Sequence, residues 1–386
     1  MFHWSSGYAC GTVWRMPDIT IPTDILPADG RFGSGPSKVR QETVDALAKV
    51  APSLLGTSHR RPAVKDQVRR IRQGLATFFT LPDEYEIALG NGGATLFWDA
   101  AVFSLIQRRS AHAVFGEFSA KFAKAAGAAE FLEKPEIFEA APGTYPQVTP
   151  FDGVDLYALT HSETSTGVAM PVLRPAYDAL VAVDATSAAG GISFDPAEAD
   201  AYYFSPQKAF ASEGGLWLAL LSPAALERIG SIKASGRHIP AMLDLSIALD
   251  NSRLDQTYNT PAVATLFLMA EQIEWMNAQG GLAWSAKECA AKADHIYSWA
   301  GASGYATPFV TDPSARSTVV CTIDLAEAIS ADEVSKVLRA NGVLDTEAYR
   351  KLGRNQLRFA VFPAIDPEDV QRLTACVDYV VERLQG

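Results

Sequence analysis

Two kinds of hydrophobic pattern alternate along the first two thirds of the chain. Short, almost unbroken apolar runs recur at "EIALG" (86–90), "HAVFG" (112–116), "DLYALT" (155–160), "LVAVD" (180–184), "AYYFS" (201–205) and "LWLALL" (216–221). Runs of that length and continuity predict strands covered on both faces. Between them lie longer stretches with apolar positions three and four apart, such as 63–79 and 95–107, which predict helices. The alternation predicts an α/β architecture built on a mostly parallel sheet.

The texture changes near residue 260. "PAVATLFLMAEQIEWMNAQGG" predicts a long helix with Pro261 at its start and Gly280 at its stop, and a second helix follows over about 282–303. A smaller alternating unit then reads strand "STVVCTIDL", helix "SADEVSKVLRANG", strand "NQLRFAVF" and helix "DPEDVQRLTACVDYVVERL". Ser330 with Glu333 forms a capping-box pattern, and Asp366-Pro367 with Asp369 marks the start of the last helix. The predicted division is an N-terminal extension and arm over 1–30, a large domain over 31–284 and a small C-terminal domain over 285–386, joined by the N-terminal segment.

Composition narrows the function classes. The 386 residues exceed what one core holds, so about two domains are expected. A net charge of −11 argues against a partner with a phosphate backbone, so no nucleic acid is expected. No window approaches a membrane span. Cys10, Cys289, Cys321 and Cys376 lie far apart and form no C-x-x-C pair, and the six histidines have no metal spacing. That pattern fits neither a disulfide framework nor a zinc site, and suits a reducing cytoplasm. The opening "MFHWSSGYACGTVWR" has neither signal-peptide order nor periodicity, whereas Met16 begins an ordinary extended lead-in. Residues 1–15 are therefore expected to be a disordered extension upstream of the true start.

Three features carry chemistry. In "LGNGGATLFWDAAVF" (89–103) an apolar strand ends in a glycine-rich turn and a helix begins near Thr95. Such a turn exposes N–H groups at a helix N-terminus and suits a phosphate, although it could equally be a tight strand–helix turn. It lacks the Gly-Lys-Ser/Thr of a triphosphate loop, and Thr95 stands where G-x-G-x-x-G requires its third glycine. In "ALVAVDATSAAGG" (179–191) a strand finishes in Asp184, at the sheet edge where ligands of open α/β sheets bind. A carboxylate there either pairs with a buried cation or caps a turn. In "DAYYFSPQKAFASEGGLWLAL" Lys208 lies between an aromatic run and an apolar strand, 24 positions after Asp184 (208 − 184), which leaves room for a turn, a strand and another turn. A lysine so placed either snorkels to water or loses its proton. A phosphate cradle, a carboxylate for a pyridine nitrogen and a desolvated amine are together what pyridoxal phosphate requires.

Beyond these features, "GTSHRRP", "GNGGATLFWDA", "GEFSAKFA", "HSETSTGVA", "VDATSAAGG", "YYFSPQKAFASEGGLWLA", "QTYNTPA" and "YRKLGRNQLR" resemble the phosphoserine aminotransferases, fold-type-I enzymes of the class-V aminotransferase family, in their actinobacterial branch. The resemblance runs from about residue 31 to the C-terminus. It implies a seven-stranded sheet flanked by helices, pyridoxal 5'-phosphate, a homodimer with shared active sites, and transfer of the amino group of L-glutamate to 3-phosphohydroxypyruvate. By motif it implies Lys208 as the lysine joined to the cofactor, Gln207 as a neighbour, and Asp184 at the pyridine nitrogen. Ala94 and Thr95 fall at the phosphate, with Gly93 shaping the turn. Thr164 corresponds to a threonine near the phenolic oxygen, and Phe118 stands where many relatives stack a Trp on the ring. Asn259 and Thr260 would reach the phosphate from the other subunit.

For substrate, the resemblance implies His59, Arg60 and Arg61 reaching into the partner's site, and Arg358 gripping the α-carboxylate. Two departures stand out. Tyr349-Arg350 replaces a His-Arg pair of many relatives, with a longer spacing, so either Arg350 or Arg354 meets the substrate phosphate. Ser162 stands where an Asn is common. The competing readings are another fold-type-I enzyme, such as a serine–glyoxylate aminotransferase or a cysteine desulfurase, and a non-catalytic pyridoxal-phosphate-binding protein. The desulfurase needs an exposed nucleophilic cysteine, and neither the strand position of Cys321 nor the helix position of Cys376 suits one.

Overall fold

The computed structural model describes residues 19–386, so the expectation for residues 1–15 lies outside the described residues. Twelve strands are described: β1 Glu86–Asn91, β2 Ser110–Val114, β3 Glu136–Glu139, β4 Leu156–Thr160, β5 Ser162–Glu163, β6 Val168–Ala169, β7 Leu180–Asp184, β8 Ala201–Phe204, β9 Leu216–Leu221, β10 Ala306–Pro308, β11 Val320–Leu325 and β12 Gln356–Ala360. The helices are α1 Gln41–Leu54, α2 Pro62–Phe78, α3 Ala94–Ser104, α4 Glu117–Ala128, α5 Pro223–Ala234, α6 Leu245–Arg253, α7 Val263–Gln279, α8 Gly281–Ala302, α9 Ala331–Ala340 and α10 Pro367–Gln385.

Seven strands form the main sheet in the order β1-β9-β8-β7-β4-β2-β3. Pairing is parallel from β3 through β2, β4 and β7 to β8, and antiparallel on both sides of β9. All strands but β9 therefore point the same way, and the loops after β1, β2, β4, β7 and β8 emerge at one edge. Strand alternation divides the core. Val181 and Val183 of β7 pack with α1, α2 and α7, while Leu180 and Ala182 face the layer of α3, α4, α5 and α6. Each central strand is thus apolar on both faces, which is why it reads as an unbroken run.

The antiparallel sheet β10-β11-β12 has its own core with α8, α9 and α10. The N-terminal segment belongs to this core: Ile21 and Phe32 are buried in it. Residues 30–32 lie alongside, with a single parallel bridge between Arg31 and Leu344, through Leu344 N–H to the Gly30 carbonyl (2.7 Å) and Ala360 N–H to the Phe32 carbonyl (2.9 Å). No Cβ fits at Gly30, where it would sit 2.0 Å from the Gly342 carbonyl oxygen.

Several boundaries differ from the sequence reading. β2 begins at Ser110 and ends at Val114 rather than spanning 112–116, because Gly116 already caps α4 and Phe115 N–H turns to Ser119 Oγ. The edge strand β3 and the ribbon of β5 and β6 escape periodicity; "EIFE" is short and alternates between half-buried and exposed. Ser330 Oγ accepts from Glu333 N–H as the capping pattern predicts, and Gly280 ends α7 at φ 124°. Asp366 makes no side-chain cap on α10, whereas Asp369 accepts from Ala28 N–H (2.7 Å) and so ties the N-terminal segment down.

Candidate active site

A cavity of ≈ 300 Å³ opens at the edge where the parallel strands end. Its walls come from successive strand ends and the loops that follow them: Gly92, Gly93, Ala94 and Thr95 after β1, Phe118 after β2, Thr160, Ser162 and Thr164 at and after the end of β4, Asp184 and Thr186 at and after the end of β7, and Ser205, Gln207 and Lys208 after β8. β7 and β8 are parallel neighbours with Asp184 opposite Tyr203, so the 24-residue interval delivers the lysine beside the aspartate.

Lys208 is 7% exposed. Its Nζ donates to the Ser34 carbonyl (2.5 Å) and to Thr164 Oγ1 (3.3 Å). Its pKa is lowered from 10.5 to about 7, by burial first and by the Arg358 guanidinium second, with Asp184 and Glu163 opposing the shift. About half of the amine is therefore neutral near pH 7, where a free lysine is almost wholly charged. Close chain approach is needed here: a Cβ on Gly35, whose φ is +134°, would lie 2.8 Å from Lys208 Cε.

Asp184 is also buried. Oδ2 accepts from Trp98 Nε1 (3.0 Å), and Oδ1 accepts from Thr186 N–H (2.9 Å) and Thr186 Oγ1 (2.6 Å). Burial raises its pKa against those three bonds. A carboxylate held in place but with no ion-pair partner among the described residues suits a group that arrives with positive charge. At the other end of the cavity, Gly92 and Gly93 have φ of 120° and 97°, a backbone that L side chains rarely adopt, and Gly93 is the N-cap of α3. Ser205 Oγ accepts Ala94 N–H at 2.6 Å. Gln207 Oε1 is buried with no hydrogen-bond partner among the described residues, and so is Arg358 Nε. A basic amine, a fixed acid, a helix N-terminus opened by two glycines and unsatisfied polar atoms together fit pyridoxal phosphate.

The remaining predicted residues divide into groups. Thr164 Oγ1 bonds Ser187 Oγ as well as Lys208, and its carbonyl accepts from Arg358 Nη1 (3.2 Å). Arg358, on β12, thereby joins the small sheet to the Thr164 loop, although it does not itself line the cavity. Arg354 does not: Asp324 holds it through Nε (3.1 Å), and its guanidinium lies 4.5 Å from the Phe309 ring centre. Arg350 is exposed in the turn Arg350–Leu352. None of His59, Arg60, Arg61, Asn259 and Thr260 lines the cavity. His59 Nδ1 meets Thr260 Oγ1 (3.2 Å), Arg60 Nη1 donates to Gln256 Oε1 (2.7 Å), and the Thr260 carbonyl accepts from Asn91 Nδ2 (2.8 Å), next to the glycine turn. The described cysteines, Cys289, Cys321 and Cys376, are buried, and burial pushes their thiols up to about 11, 12 and 11, which disfavours a nucleophilic role.

Sequence reasoning missed Trp98, Thr186, Ser187, Ser205 and the Ser34–Gly35 segment. Two of these left a signal: Thr186 stands two residues after Asp184, the spacing of an Asx turn, and a Trp N–H within an apolar helix needs an acceptor.

Residues 32–346 match the family model for class-V aminotransferases. The chain belongs to the class-V aminotransferases. It is 59% identical over 370 residues to a phosphoserine aminotransferase from Nocardioides sp., covering 95% of this chain and 99% of that one. The crystal structure of a phosphoserine aminotransferase from Cytophaga hutchinsonii matches this aminotransferase with a TM-score of 0.83 at 26% identity, over 91% of this chain and 99% of the other. A ureidoglycine-glyoxylate aminotransferase from Bacillus subtilis matches with a TM-score of 0.77 at 20% identity, over 94% and 95%, which shows the shared fold alone. The fold-type-I scaffold thus serves aminotransferases of different substrates, and substrate choice rests on side chains. Among the described residues, no helix is long and apolar enough to cross a membrane and no cluster could hold a metal ion.

Proposed function

We propose that this aminotransferase transfers the amino group of L-glutamate to 3-phosphohydroxypyruvate, giving O-phospho-L-serine and 2-oxoglutarate, as a cytoplasmic homodimer with pyridoxal phosphate in the Lys208 cavity. The observation that carries the reading is one cavity holding a buried amine of lowered pKa, in the loop after β8, and a buried carboxylate at the end of the parallel neighbour β7. The 59% identity over nearly the whole chain supports the substrate assignment.

When bound, pyridoxal phosphate supplies an electron-accepting ring for the pair left by a departing substrate α-proton. Asp184, oriented by Trp98 and Thr186, would keep the ring nitrogen protonated. Lys208 Nζ, with an unprotonated fraction of about half near pH 7, would take up that α-proton. Phe118 would cover one ring face, Thr164 would donate to the phenolic oxygen, and Gln207 would lie against the cofactor. Gly93, Ala94 and Thr95 would receive the phosphate. Arg358 would bind the substrate α-carboxylate as a fork, and Arg350, rather than the Asp324-bound Arg354, would meet the substrate phosphate. His59, Arg60 and Arg61, with Asn259 and Thr260, would complete the site of a second copy. In this reading the chain divides near residue 285, with 31–284 carrying the cofactor and 285–386 carrying Arg358.

The test is a coupled glutamate-to-phosphoserine assay on wild type and Lys208→Ala. Wild type should turn over phosphohydroxypyruvate far better than glyoxylate, and Lys208→Ala should lose the cofactor's visible absorption band and turnover together. Normal turnover by Lys208→Ala would defeat the assignment.

A further inference from the structure

Glu163 lies between two residues that line the cavity, Ser162 and Thr164, yet its own side chain points away from it into the protein, 0% exposed. A buried carboxylate is costly unless fully satisfied. This one is satisfied from two directions. Oε2 accepts from Phe118 N–H (3.1 Å), Ser119 N–H (3.0 Å) and Ser119 Oγ (3.0 Å), all in the first turn of α4. Oε1 accepts from Ser165 N–H (3.2 Å) and Ser165 Oγ (2.7 Å), in its own loop, while Ser165 Oγ accepts in turn from Glu117 N–H (3.1 Å). Every one of these neighbours donates, as an acceptor-only carboxylate requires.

The residue that would ordinarily cap α4 is Gly116, which has no side chain to do so. Nor could it carry one: a Cβ there would lie 2.3 Å from Glu163 Cγ. The carboxylate has taken over the cap from a distant position in sequence, and it also gains from the positive end of the helix dipole. The backbone of Glu163 is fixed as well, since its carbonyl accepts from Thr166 N–H (3.2 Å) and Gly167 N–H (2.9 Å). One side chain therefore ties the loop that presents Thr164, and through it Lys208 and Arg358, to the helix turn that presents Phe118.

We infer that Glu163 is a positioning residue that sets the separation between the Phe118 wall and the Thr164 wall, and so the seating of the cofactor ring between them. The inference rests on the reading that the cavity takes pyridoxal phosphate. Mere capping of α4 predicts a loss of stability and nothing else. Positioning predicts that the loss reaches the ring and reaches it through Phe118.

The experiment titrates pyridoxal phosphate into cofactor-free wild type, Glu163→Gln, Phe118→Leu and the double variant. It follows the dissociation constant and the visible circular dichroism of the bound ring, with a thermal melt of each cofactor-free protein. Losing a stacked face is worth up to about tenfold in the constant, so Glu163→Gln should bind roughly 5- to 10-fold more weakly with at most half the dichroism. In the Phe118→Leu background it should add less than about twofold, the non-additivity of groups acting as one unit. A lower melting temperature with unchanged constant and dichroism, or additive losses in the double variant, would overturn the inference. Should Glu163→Gln fail to fold, Ser165→Ala, which removes one donor and leaves the charge capped by α4, should shift the constant about two- to threefold in the same direction, and no shift counts against it. Wild type that binds no pyridoxal phosphate overturns the proposed function and this inference together. Wild type that binds normally beside an equally tight Glu163→Gln overturns this inference alone.

Discussion

Burying Lys208 costs stability in the cofactor-free protein, and the cost depends on pH in a way that can be worked out. The amine titrates at 10.5 when free and at about 7 in the fold. Between those values the unfolded chain binds a proton that the folded chain does not, so stability rises with pH across the window from 7 to 10.5. The full penalty, present below pH 7, approaches 3.5 units at 1.36 kcal/mol each, or about 4.8 kcal/mol. At pH 6 the linkage expression gives about 4.7 kcal/mol, and at pH 9.5, still one unit below the free value, about 1.4 kcal/mol. Lys208→Met removes the titrating group, keeps similar volume and forfeits the bond to the Ser34 carbonyl, a constant offset of about 1 kcal/mol. The difference in stability between variant and wild type should therefore favour the variant by about 3 kcal/mol more at pH 6 than at pH 9.5. Urea denaturation of both cofactor-free proteins at equal concentration, at half-unit steps from pH 6 to 9.5, measures this directly. Parallel curves, agreeing within about 0.5 kcal/mol across the range, would mean that the amine is not desolvated in the fold. Lys208 would then be a fully charged amine near pH 7, unable to act as a base.

Four further outcomes are expected. Asp184→Asn keeps an acceptor for Thr186 but turns an amide toward Trp98 Nε1; turnover should fall by on the order of 100-fold, with the cofactor still bound in absorbance titration. Arg350→Ala should raise the KM for the phosphorylated substrate about tenfold or more. Arg354→Ala should leave that KM alone and cost stability on the order of 0.5–1 kcal/mol in a thermal melt, since Arg354 is occupied by Asp324. Arg60→Ala should weaken phosphorylated substrates far more than pyridoxal phosphate, as read by KM against cofactor titration; equal losses would count against the role given to Arg60.

The parts of this architecture that periodicity reveals are those buried on both sides. β7 and β8 stand out in the sequence because Val181, Val183, Tyr202 and Phe204 fill one face and Leu180, Ala182, Ala201 and Tyr203 the other. β3 is invisible because an edge strand with exposed Glu139 has no such demand. Within the cavity, Asp184, Lys208 and the glycine turn are legible because each breaks a local rule: a charge ending an apolar strand, an amine beside one, and glycines with positive φ. Ser205, Ser187 and Ser34 break no rule, being small polar residues in loops, and only the three-dimensional arrangement shows what they touch. Glu163 is the instructive case. Its sequence neighbours mark a turn, but its partners Phe118 and Ser119 are 45 and 44 positions away, and no local pattern points to them.

The strip from Gly30 to Ser37 is anchored at one end to β12 and the Leu344 segment, and at the other to the Lys208 loop, where Ser37 N–H meets the Gln207 carbonyl at 2.9 Å. A chimera that exchanged only the C-terminal quarter between two relatives, cut at residue 285, would leave this strip facing a foreign sheet. A graft that is to keep the amine in register must carry two crossover points, transplanting residues 19–37 along with 285–386. Recombination libraries of these enzymes would accordingly be enriched for survivors whose two chain ends descend from the same parent.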